Sequence, residues 1–291
     1  MCRSMPLVFV RAAIAAVALT LVACGGASEP SAAEPGSGGE TPSAQATPAA
    51  VGALETKSVS YSAGATQLNG FIAYPAGRDK GPAVLVVHEW WGLNDYARMR
   101  AQKLAEHGYV ALAVDMYGGG KLAAHPDDAK KFAGEVMSNM PEAKARFEAA
   151  RALLAADPRV DAAKIAAIGY CFGGGVVLHM ARAGEPLAAV ASFHGMLGSA
   201  EPMKPGAFSG QILVATGGAD PFVPGEQVEA FKKEMDAAGA HYEVVVYPDA
   251  KHGFTDPDAT ARGEQFQMPV AYDASADAAS WQKLETLLAG M

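Results

Sequence analysis

Cysteine is scarce: three residues in 291, at Cys2, Cys24 and Cys171. Only Cys171 falls in the region that reads as folded, so no disulfide is available to it. There is no zinc-type cysteine pair and no H-E-x-x-H, so no metal site is expected, and nothing calls for an organic cofactor. Clustered positive charge is missing as well. The net charge is −8 and no lysine- or arginine-rich run occurs, which argues against nucleic acid as a partner, because neutralising phosphates needs a basic face. Long apolar runs are absent too. Ala12–Val22 gives about eleven residues, where a bilayer-spanning helix needs about 20. What is there is 50% hydrophobic and 19% charged, enough for one substantial core and too little for two large domains.

Arg3 and Arg11 precede that apolar run, and Leu21-Val22-Ala23-Cys24 closes it. This resembles the signal and lipobox of bacterial lipoproteins, which implies removal of residues 1–23 and lipid on Cys24. Residues 24–52 then form the lipidated cysteine and a linker of Ala, Gly, Pro, Ser, Thr and Glu, too poor in large apolar side chains to order itself. On this reading the protein is a bacterial cell-envelope lipoprotein facing the periplasm, held to the membrane through Cys24. Residues 53–291 are its working domain. A monomer is the expectation, although no feature of the sequence sets an oligomeric state.

From Leu54 onward the pattern is that of strands and helices in alternation. Thr56 to Tyr61 and Thr66 to Tyr74 predict two strands turning at Gly64. Ala83 to Val87 and Tyr109 to Val114 are continuous apolar runs, as expected of strands buried on both faces. Leu187 to Phe193, Gln211 to Thr216 and Tyr242 to Tyr247 predict further strands. Helices are predicted from an Asn94 cap to His107, over one or two segments in His125–Ala156 with Pro141 starting the second, over Pro224–Ala238, and over Ala274–Leu288. This order implies an α/β fold of the α/β-hydrolase kind: a mostly parallel central sheet covered by helices on both faces.

The stretch Ile165–Val177, IAAIGYCFGGGVV, is the centre of that plan. A buried strand ends at Gly169, a helix resumes by Val176, and Cys171 sits on the turn in the frame Gly-x-Cys-x-Gly. This is a nucleophile elbow with sulfur in place of oxygen. A side chain two residues either side would collide with neighbouring backbone, hence the glycines. A nucleophile needs a base, and the base an orienting group. The order nucleophile, acid, histidine is supplied by Asp220 in the loop after the Gln211–Thr216 strand and His252 in the loop after the next. Asp249 and Asp256 lie closer to His252 in sequence and compete with Asp220. His88 and His194 each end a strand at the same edge; His107 and His241 read as solvated, His179 as packed. Glu89, directly after a buried strand, is costly without a partner or a task. Trp91, Tyr117, His194 and Phe254 are the expected pocket lining.

Gly-Tyr-Cys-Phe-Gly-Gly, His-Glu-Trp-Trp-Gly-Leu-Asn, Asp-Met-Tyr and Lys-His-Gly-Phe together resemble the dienelactone hydrolase family, from about residue 54 to the end. The resemblance implies an α/β-hydrolase that cleaves a small ester or lactone, with Cys171 as nucleophile, Asp220 as acid and His252 as base. It gives Glu89 the task of accepting the thiol's hydrogen bond, and places the oxyanion hole at the backbone N–H groups of Phe172 and Trp90. The departures concern substrate. The arginine that the family carries four residues past its histidine is Asp256 here, and a second arginine is replaced by Lys130-Lys131. A neutral ester, lactone or thioester is therefore expected at least as much as an anionic lactone. The competing expectation is an envelope lipoprotein that binds a ligand and has lost turnover.

Overall fold

Alternation along one strand sorts the core. Residues 54–77 and 79–291 are described in a computed structural model of the chain; the signal peptide, Cys24 and the linker expected over 1–52 lie outside them. In β3 (Gly81–Val87), Ala83, Leu85 and Val87 pack into one apolar cluster, while Val84 and Val86 pack into a second on the opposite face. Period-two alternation with both sides apolar is what a doubly covered parallel sheet demands.

The elements follow in the order β1 (Glu55–Ala63), β2 (Thr66–Tyr74), β3, α1 (Asp95–Glu106), β4 (Val110–Val114), α2 (Pro126–Met137), α3 (Met140–Ala156), β5 (Val160–Tyr170), α4 (Phe172–Arg182), β6 (Ala189–Phe193), β7 (Gln211–Gly217), α5 (Gly225–Ala238), β8 (His241–Tyr247), α6 (Ala259–Phe266) and α7 (Ala274–Ala289). The strands form one eight-stranded sheet, β1-β2-β4-β3-β5-β6-β7-β8. β1–β2 and β2–β4 pair antiparallel, and the remaining pairs are parallel. Helices α2 to α5 contribute to the first cluster through residues such as Phe147, Val176 and Phe231. Helices α1 and α7 contribute Leu104, Trp281 and Leu284 to the second.

Helix boundaries follow local chemistry. Asn94 caps α1 by accepting from the Ala97 N–H at 3.3 Å. The segment 125–156 is two helices, and α3 opens at Met140, with Pro141 inside its first turn and Asn139 as its cap. Proline belongs there because a first-turn N–H has no intrahelical acceptor to lose. Several boundaries and one element differ from expectation. β5 begins at Val160, five residues before the apolar run, because Val160 pairs with Gly81 across a register shift. β6 begins at Ala189. α6 was not expected at all: its sequence, ATARGEQF, buries only Ala259 and Gly263, so it carries no apolar stripe to read.

What this architecture fixes is one edge. After β3 the chain goes first to β4 on one side, then through β5 on the other, and Val87 sits opposite Gly169 in the β3–β5 register. Loops leaving adjacent strands at such a reversal flank a crevice at their carboxyl ends. Glu89 follows β3, Cys171 follows β5, His194 follows β6, Asp220 follows β7 and His252 follows β8. All five therefore meet at that edge.

Candidate active site

Cys171 sits at φ 52°, ψ −115°, a backbone conformation that a side chain adopts only under constraint. The constraint is visible around it. A Cβ on Gly169 would stand 2.1 Å from the Gly173 oxygen, and one on Gly173 would stand 2.3 Å from the Val87 oxygen. The strand, the turn and the start of α4 thus approach so closely that only glycine fits on either side. The Cys171 N–H is shared between the Phe193 oxygen at 3.0 Å and His194 Nδ1 at 3.2 Å. Phe172 opens α4, where first-turn N–H groups point out of the helix toward the site.

His252 Nδ1 donates to Asp220 Oδ2 at 2.8 Å, and the other oxygen of Asp220 accepts from the Phe222 N–H, also at 2.8 Å. That leaves the far nitrogen of His252 for the cysteine, with which it lines one cavity. Burial lowers the basicity of His252. The charge on the Cys171 sulfur, the Asp220 hydrogen bond and the hydrogen bond with Cys171 outweigh it and raise the pKa to about 10. Such a site holds its proton on the imidazole, opposite a sulfur able to balance the charge. Of the three acids that compete for His252, Asp220 is the one bonded to it. Asp256 is turned elsewhere, into an ion pair with Arg262.

Glu89 is buried and lines the same cavity. Burial, then the neighbouring charges of Asp256 and Cys171, push its carboxyl well above the ordinary range. That shift favours the protonated carboxyl.

The loop carrying it is held by two side chains whose role was not legible beforehand. His88 Nδ1 lies 2.5 Å from the Glu89 oxygen, and its Nε2 accepts from the Met116 N–H at 3.2 Å. Since Nε2 accepts, Nδ1 carries the proton and donates to Glu89. That carbonyl belongs to the same planar unit as the Trp90 N–H, so His88 aims the N–H. Tyr117 donates to the Trp90 oxygen at 2.8 Å and fixes the next unit.

Burial pushes His88 down to about 4 from an ordinary 6.5, more than the Glu89 carbonyl and the Asp115 charge restore. The unfolded chain binds this proton below about pH 6.5, and the folded one only near pH 4. His88 therefore costs no stability above pH 6.5 and an increasing amount as pH falls toward 4. Between about pH 7.5 and 5 the expected loss is about 2 kcal/mol. Urea denaturation of wild type and His88→Gln at the two pH values isolates it: from pH 7.5 to 5 the wild type should lose about 2 kcal/mol more than the variant.

The expected pocket lining is corrected in part. Trp91 lines the cavity; Tyr117, His194 and Phe254 are not among its lining residues. Tyr117 turns its hydroxyl back to Trp90. Phe254 is fully buried against the ring of His194. His194, also fully buried, stands behind His252 with ring centres 5.1 Å apart. Burial holds it well below its ordinary pKa, with the charge of His252 as the next cause, so it is neutral. Its Nδ1 accepts from Cys171, so Nε2–H donates to Thr255 Oγ1 at 2.8 Å. From there Tyr96 (2.6 Å to Thr255 Oγ1) and the buried Arg100 (2.5 Å to the Thr255 oxygen) continue the network to Asp277 on α7. Arg100 had a signal: it occupies an apolar position of α1, four residues from Tyr96 and from Leu104.

Arg262 is the other residue the sequence did not disclose. It lines the cavity from α6, pairs with Asp256 and Asp258, and lies over the Trp91 ring at 5.4 Å. Among the described residues no group of three or more His, Cys, Asp or Glu is placed to hold a metal ion.

Sheet order, crossovers and elbow define an α/β-hydrolase. Comparison with known proteins narrows the class. Residues 68–291 match the model of the dienelactone hydrolase family, and the chain belongs to that family. It is 31% identical to the "Putative carboxymethylenebutenolidase" of Aquifex aeolicus, over 67% of this chain and 85% of that protein. It is 30% identical to "Protein usf" of Aquifex pyrophilus over the same shares of each. Among solved structures it is similar to m3DLH, with 36% identity and a TM-score of 0.78 over 82% of this chain and 99% of that one. A dienelactone hydrolase-like promiscuous phosphotriesterase from metagenomic libraries gives 35% identity and a TM-score of 0.76 over the same shares.

Proposed function

We propose that this hydrolase cleaves small carboxylic esters or lactones through an acyl-cysteine intermediate, with Cys171, His252 and Asp220 as the triad. The observation that carries the reading is His252, bonded through one nitrogen to Asp220 and facing the Cys171 sulfur with the other.

The Cys171 sulfur attacks the substrate carbonyl carbon, and the carbonyl oxygen takes the negative charge against the N–H groups of Phe172 and Trp90. The tetrahedral intermediate collapses as His252 gives its proton to the leaving oxygen. His252 then takes a proton from water, whose oxygen attacks the thioester; the acid leaves and the sulfur is released. Asp220 keeps Nδ1 protonated throughout, so the other nitrogen does the proton transfer. Glu89 accepts the thiol's hydrogen bond, takes its proton as the thiolate forms, and returns it when the sulfur is released at the end of the cycle. The upward shift of its carboxyl favours the first of these transfers.

A reaction with an activated acetate ester, quenched in acid within the first turnovers, should show an acetyl adduct on the peptide containing Cys171. Steady turnover with no adduct on that peptide would overturn the covalent route. Tight ligand binding with no product would favour the non-catalytic lipoprotein reading. Lipid on Cys24 and a periplasmic location are proposed from the signal-like sequence alone. Incorporation of labelled fatty acid that persists in Cys24→Ser would refute them.

A further inference from the structure

The cavity above Cys171 has a volume of about 280 Å³ and almost no free charge. Its one arginine, Arg262, is committed to Asp256 and Asp258 and lies over the Trp91 ring. A guanidinium so engaged has no open fork to offer a carboxylate. The Asp256 carboxylate faces the same space and would repel one.

The remaining wall is carbon and sulfur, and it continues outward. Five large apolar side chains are exposed among the described residues, and three of them, Met137, Met196 and Phe222, line this one cavity at 45%, 48% and 43% exposure. Single exposed apolar residues mean nothing; a group of them gathered at the mouth of one pocket marks a binding surface. They come from α2 and from the loops after β6 and β7, three separate parts of the chain that together line one cavity. Met268 and Val270 line it as well. Thioether side chains adapt to a flexible apolar partner better than branched ones do.

We propose that the site selects neutral esters bearing an unbranched apolar arm several methylenes long, which lies across Met137, Met196 and Phe222. This rests on the ester-hydrolase reading above and names the substrate class for it. The arm is the acyl or the alkoxy part of one ester, and both are tested.

With the purified full chain, kcat/KM is measured along p-nitrophenyl acetate, butanoate, hexanoate and octanoate, and along ethyl to octyl acetates by proton release. One series is expected to rise by roughly two- to four-fold per methylene until the strip is covered. The mono-p-nitrophenyl ester of a dicarboxylic acid of matching length should fall well below its neutral counterpart. In the series that rises, Met137→Asn/Met196→Asn should lower the ratio of the eight-carbon to the two-carbon substrate about tenfold or more. Two flat series, or an unchanged ratio in the variant, would overturn the proposal. Failure of the hydrolase reading is told apart by Cys171→Ala titrated with butan-1-ol and octan-1-ol, followed through the fluorescence of Trp90 and Trp91. Tighter binding of octanol supports the apolar strip with no bond cleaved, and equal affinities refute it.

Discussion

Cys171→Ala is expected to lower kcat/KM for an activated ester by about 10⁴- to 10⁶-fold, with the melting temperature close to that of the wild type. The loss is large because the proposed triad would act as a unit, so removal of its nucleophile would leave little more than the proposed oxyanion donors and the binding site. Stability should change little because the cysteine is half-buried and faces a cavity, so deleting one sulfur opens no sealed void. The variant also strands His252. Without sulfur opposite it, that imidazole loses the charge that most raises its pKa, and burial acts with less opposition. Its titration, followed by NMR in wild type and variant, should therefore move down from about 10 toward the ordinary range. A loss of activity below about tenfold would mean that another group attacks the substrate. An unmoved histidine would mean that the sulfur is not what raises its pKa.

Much of this site was legible because strand periodicity locates loop ends. The five-residue run before His88, the Gly-x-Cys-x-Gly turn and the two strands before Asp220 and His252 each place a residue at one sheet edge. The parallel topology then makes those places neighbours. What sequence position does not specify is the side of the loop from which a side chain leaves. Tyr117 and Phe254 stand at the right edge, yet one bonds back to Trp90 and the other packs under His194. His88 and His194 were legible as strand-end histidines but not as neutral anchors, since tautomer and role depend on partners such as the Met116 and Cys171 N–H groups. Asp256 reads in the sequence as an unopposed acid where the family has an arginine. Its charge is answered by Arg262, six residues on, from a helix too short and too polar to announce itself.

Gly173→Ala is expected to destabilise the fold by more than about 4 kcal/mol, while Gly175→Ala, two residues further along α4, should stabilise it slightly. Propensity alone predicts the same sign for both, since alanine favours a helix over glycine by about 1 kcal/mol. Space separates them. A Cβ on Gly175 would meet nothing closer than 3.6 Å, the Met196 oxygen, whereas one on Gly173 would stand 2.3 Å from the Val87 oxygen and 2.6 Å from the His88 oxygen. Both of those are backbone atoms at the end of the central strand and cannot swing aside as a side chain would, so α4 must withdraw or β3 must bend. Thermal melts should place Gly173→Ala lower by about 10 °C or more and Gly175→Ala level or higher by about 2 °C. Whatever folded Gly173→Ala remains should also be a poor catalyst. The strand end it displaces carries His88, which aims the Trp90 N–H, so a fully active Gly173→Ala would show that the close approach of β3 and α4 is not what holds the oxyanion donors in place.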